Sequence, residues 1–166
     1  MTADPPQLGA TMLDAVGRAL VRRDLPSARR ALKRGLEENV SEEDLVYGGL
    51  WVLLLERIVG VATDGTAGRA LEGSVSRPSW TGRLASWANG RISDADLNKL
   101  AQSAAQRVEA QFYIAMARKA AGDASADERL RAVSKSPVID LLEVHIAREM
   151  LAPELRLDVP RNASLP

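Results

Sequence analysis

The chain of 166 residues contains no cysteine, which excludes disulfide bonds and thiolate metal sites outright. Its one histidine, His145, leaves too few ligands for most zinc sites and too few bases for most histidine-dependent triads. Formal net charge is zero, with 22 basic and 22 acidic residues, so only a local patch could draw the protein to nucleic acid or anionic lipid. The N-terminal MTADPPQLGATMLDAVGRAL lacks a basic start, an apolar run and a small-residue cleavage site. No secretory signal is read there, and a cytoplasmic location is expected. Nor is any run long enough for a bilayer. The most apolar stretch, LVYGGLWVLLLERIVG at 45–60, meets Glu56 and Arg57 after residues 45–55, well short of the roughly 20 apolar residues a membrane helix needs. No alternating strand pattern occurs, and no membrane partner is expected.

What is present is helical periodicity. Met12, Ala15, Val16 and Leu20 mark an amphipathic helix at about 8–23, and Ala28, Ala31, Leu32 and Leu36 a second at about 26–38, after the break at Leu25-Pro26. Ser41-Glu42-Glu43-Asp44 reads as a capping box opening the helix of the apolar stretch. Gly48-Gly49 inside that helix costs roughly 1 kcal/mol per glycine relative to alanine, so close approach of a neighbouring helix is expected there. Residues 60–78 read as a loop with a short helix near 65–72. Ser79 caps a helix carrying Trp80, Leu84 and Trp87 on one face, which Asn89-Gly90 ends. Capping boxes at Ser93-Asp94-Ala95-Asp96 and at Ser125-Ala126-Asp127-Glu128 open two further helices, with one at about 104–121 between them. Ile139, Leu142, Ile146 and Met150 mark the last. The expected fold class is all-α: antiparallel helical hairpins in a small solenoid or bundle of about seven or eight helices. Residues 1–7 are expected to be disordered, 8–152 to form one domain, and 153–166 to be a loosely held tail.

Few residues suggest chemistry. Gly60 to Thr66, GVATDGT, spaces two glycines as a phosphate loop does, but it lacks the lysine and follows a helix. His145 has Glu149 one turn on and no nucleophile at recognisable spacing. The carboxylates Glu37, Glu38, Glu42, Glu43 and Asp44 suit helix capping and solvation. No catalytic, cofactor-binding or metal-ligating residue is therefore assigned. The sharpest charge feature is a basic strip of Arg22, Arg23, Arg29, Arg30, Lys33 and Arg34. It could meet an acidic protein segment or a nucleic acid backbone, although no aromatic interleaves with it to stack on bases. Trp80 and Trp87 are the other candidate contacts, since aromatics anchor interfaces; at helical spacing they also suit a core.

The stretch 104–137, AAQRVEAQFYIAMARKAAGDASADERLRAVSKSP, resembles a tetratricopeptide repeat. Ile114-Ala115 stand at the Leu-Gly position of the family's first helix, Gly122-Asp123 at its turn, and Ala132 and Pro137 at its closing alanine and proline. Arg118 stands where the family places a bulky aromatic. The resemblance implies stacked helix pairs whose concave surface accepts a peptide or helix. It therefore implies a non-catalytic adaptor that binds another protein or itself. A nucleic-acid-associated regulator using residues 18–34 is the alternative.

Overall fold

The computed structural model describes residues 5–157, with side chains placed for residues 8–152. Among the described residues there are nine helices and no strand. The all-α expectation holds. The count reaches nine because the short helix expected near 65–72 forms as α4 (Thr66–Glu72), and α6 (Asp94–Leu100) forms behind the expected Ser93 cap; each has 7 residues.

The first hairpin joins α1 (Pro5–Arg22) to α2 (Leu25–Glu37). Pro5 and Pro6 fit the first turn of α1, where a missing N–H costs nothing, so the helix starts three residues before the expected position. Residues 1–4 of the segment expected to be disordered lie outside the described residues. Asp24 caps α2 by accepting the Ser27 N–H at 3.1 Å, and its carboxyl is held low by its bonds to Ser27 and then by Arg30 and Arg22.

Helix α3 (Glu42–Val59) is the axle of the structure, packing against α1, α2, α4, α5 (Trp80–Ala88) and α7 (Ala104–Ala120). Val46, Leu50, Trp51, Val52, Leu54 and Leu55 are all buried. Its two glycines admit different neighbours, α1 and α2 at Gly48 and α4 at Gly49. A Cβ on Gly48 would lie 3.0 Å from Met12 Cε and 3.1 Å from Leu32 Cδ1, while one on Gly49 would lie 3.0 Å from the Ala70 Cβ on α4. Close helix approach is thus the reason for the pair.

Ser41, Ser79, Ser93 and Ser103 cap α3, α5, α6 and α7 through their hydroxyl oxygens. The third expected capping box fails. Ser125 donates its N–H and hydroxyl back to Asp123 Oδ1, each at 2.8 Å, and gives α8 (Ala126–Ser134) no side-chain cap. Helices α7 and α8 form a hairpin through Gly122, whose φ of 77° needs glycine. Arg118 closes that hairpin with ion pairs to Asp123 (3.2 Å) and to Asp94 on α6 (3.4 Å), which explains a guanidinium where the repeat family places an aromatic. The last helix, α9 (Leu142–Leu157), packs on α8, α7 and α1 and runs into the region expected to be a loose tail. Residues 158–166 of that tail lie outside the described residues. No described helix is long and apolar enough to cross a membrane.

Candidate functional site

The structure divides the basic strip. Arg22, Arg23, Arg30, Lys33 and Arg34 are exposed, and Arg30 donates to the Ser27 hydroxyl at 2.8 Å. Arg29 turns inward. Its Nε and Nη2 both donate to Glu56 Oε1 on α3, at 3.0 and 2.8 Å, and Nη2 also reaches the Ala62 carbonyl at 2.7 Å. Arg29 therefore neutralises a buried carboxylate and ties the loop after α3 to α2, so it is not part of the exposed strip.

The two tryptophans also separate. Trp87 is buried and donates its indole N–H to Asp94 Oδ1 at 2.8 Å, which sets it in the core instead of on a partner-facing surface. Trp80 is half-buried and donates to Glu109 Oε2 at 2.5 Å. His145 is exposed on α9.

Trp80 leads into a cluster that the sequence reading did not single out. Glu109 on α7 accepts from Trp80 and from the Tyr47 hydroxyl on α3 at 3.1 Å, through the same oxygen. One helical turn further along α7, Tyr113 accepts the Trp51 indole N–H at 2.9 Å and donates to Glu143 Oε1 at 2.7 Å. Four helices, α3, α5, α7 and α9, thus place two aromatic–carboxylate chains next to each other. Phe112 meets Tyr113 edge-on at 5.2 Å, and Trp87 lies 6.4 Å from the same ring, so Tyr113 is held on several sides.

These groups border a cavity of about 250 Å³ between α1, α3, α7 and the start of α9. Tyr47, Trp51, Glu109 and Glu143 line it, with Leu13, Asp44 and the segment Asp140–Leu142 around them. Both inner carboxylates are nearly out of solvent, Glu109 at 7% and Glu143 at 3% exposure. Burial pushes Glu143 up to about 7, and the Glu109 charge adds to this, while the Tyr113 hydroxyl pulls the other way. Burial also raises Glu109, against the lowering bonds from Trp80 and Tyr47. The Tyr113 hydroxyl is raised well above its ordinary value by burial and by Glu143. Among the described residues no ion pair reaches Asp44, Glu109, Asp140 or Glu143. Chemically, the pocket can hold a proton near neutral pH or compensate a positive charge.

Glu109 and Glu143 carried a signal in the sequence. Each interrupts an apolar face, Glu109 before Ala110-Phe112-Tyr113 and Glu143 within LLEVHIA. Acids at core positions are rarely placed there without a partner. No family model, curated protein or solved structure matches the chain.

Proposed function

We propose that this protein is a non-catalytic interaction module of tetratricopeptide-like type, which docks a segment of another protein over the mouth of the Tyr47–Glu109–Glu143 cavity. The carrying observation is that cavity itself: a concave site on a stack of helical hairpins, with aromatic walls and polar groups at its floor. Its rim is open, with apolar side chains beside the exposed Asp140. Leu142 is 47% exposed at the mouth, and Ile139, three residues earlier, is 56% exposed. Such a mixture of exposed apolar rim and buried polar floor suits an anchored side chain surrounded by contact area. The hairpin of α7 and α8, with its Gly122-Asp123 turn, supports the family reading.

The test is a photo-crosslinking residue placed at Leu142 and, separately, at Val61. Val61 is also exposed but follows the far end of α3, about 20 Å along the helix from Tyr47. In cells that produce the protein naturally, one discrete protein adduct should form from position 142 and not from position 61. Equal adducts from both positions overturn the docking site. The basic strip gives the competing reading. If Arg30→Glu with Arg34→Glu abolished a measured binding to RNA or DNA, the strip and not the cavity would be the functional surface.

A further inference from the structure

We propose that the cavity receives one cationic side chain, a lysine or arginine of the partner protein, seated against Tyr47 with its charge toward Glu109 and Glu143. This inference rests on the docking reading above and names the chemistry of the anchor. Three independent features point to it. The first is size: an open-mouthed space of about 250 Å³ has room for a single long side chain, not a helix or a strand. The second is charge. Every ionisable group around the space is a carboxylate or a phenol, and among the described residues no lysine, arginine or histidine lines it. The third is the wall. Tyr47, which is partly exposed, offers aromatic surface, which attracts ammonium and guanidinium groups more than it does neutral ones; Trp51 backs it from the core.

The burial of Glu109 and Glu143 sharpens the point. Buried carboxylates in folded proteins are paired with cations or metals, or they stay protonated. Here the donors are indoles, phenols and, at Glu143, its own backbone N–H, all neutral groups that orient the carboxylates without neutralising them. Among the described residues no cluster of acids and histidines has the arrangement of a metal site. An organic cation from outside meets the same requirement, and the apolar rim suits the stem of a lysine or arginine.

The experiment titrates the full chain with n-pentylammonium and n-butylguanidinium, and with n-hexanol as the neutral counterpart. The readout is the Nε1–H resonances of Trp51 and Trp80, whose bonds lie in the cluster. Saturable shifts are expected with both cations, at affinities at least about tenfold above the alcohol. Equal binding of the alcohol overturns the proposal.

Glu143→Gln should weaken the cations by about tenfold or more. Should that variant unfold, Asp140→Asn serves instead, since Asp140 is exposed at the mouth, and a weakening of about twofold to fivefold is expected there. An unchanged affinity in a folded Glu143→Gln variant also overturns the proposal. A lysine-containing peptide should bind more tightly than its norleucine counterpart; spermidine binding far more tightly than any such peptide would move the site to a free amine and overturn the side-chain assignment. The two readings fail separately. A position-142 adduct that pentylammonium does not displace leaves the docking site standing and removes the cationic anchor. Cation binding without any protein adduct does the reverse.

Discussion

Glu56 on α3 and Glu143 on α9 are almost equally buried, at 2% and 3% exposure, yet their surroundings differ in kind. Glu56 receives two guanidinium N–H groups from Arg29, with Asp64 also within 3.5 Å of Arg29, so the chain supplies a cation for its own carboxylate. Glu143 receives a phenol and its own backbone N–H, and its neighbour Glu109 receives a phenol and an indole, none of them charged. The first carboxylate is bonded across the seam between α2 and α3. The second borders a cavity. A charge that serves only to hold two helices is neutralised on the spot, whereas the cavity's charges are oriented and left uncompensated. Geometry at the carboxylate, more than its burial, separates an acid neutralised within the chain from one left beside a cavity without a cation.

The contrast breaks most visibly at Arg29. Arg29→Met strands the Glu56 charge and should cost about 3–5 kcal/mol in urea unfolding at pH 7, most of it recovered by adding Glu56→Leu. A loss below about 1 kcal/mol would mean that the pair is solvated and the contrast false.

Glu143 should show the opposite behaviour with pH. Its folded-state value lies above the ordinary 4.5, at about 7, so the folded protein binds the extra proton between those values. The stability this provides is complete below about pH 4.5 and is lost as pH rises through 7, an effect of about 3 kcal/mol by linkage. Glu143→Gln should remove that slope, so the gap between the two unfolding curves changes across pH 4.5–7. Asp24, Asp64 and Asp123 are shifted down, and their contribution falls away only at more acid pH.

Tyr113→Phe is expected to have a smaller effect, about 1–3 kcal/mol, because it deprives the buried Trp51 indole N–H of its acceptor. The same change removes a bond that lowers Glu143, so the carboxyl should titrate still higher. The smallest effect belongs to the exposed strip. Arg30→Glu with Arg34→Glu should alter stability by no more than about 0.5 kcal/mol and leave cation binding in the cavity intact. Set beside Arg29→Met, that pair of changes measures how different neighbouring arginines on one helix can be.

Much of the fold was legible in the sequence because its signals are local. Serines before acidic turns marked the starts of α3 and α6, and Gly122 marked the turn after α7. Gly48 and Gly49 announced close helix contacts before any neighbour was known. The site was less legible because it depends on separation along the chain. Tyr47 and Glu109 meet across 62 positions, Tyr113 and Glu143 across 30. Periodicity says that position 109 faces inward, but not that another carboxylate faces the same space. The basic strip misled in a similar way. Arg29 and Arg30 are neighbours in sequence, and only the position of α3 decides that one is a buried counter-ion and the other a surface charge.

The most direct test is the titration midpoint of Glu143, followed by carboxyl-carbon NMR in the free protein and with saturating n-pentylammonium. In the free protein the midpoint should lie at about 7. With the cation seated it should move down toward the ordinary carboxylate range, because an adjacent positive charge favours the ionised form. A midpoint that stays where it was when the cation is added would show that no positive charge enters the cavity, and would contradict the assignment of these two glutamates to a partner's basic side chain.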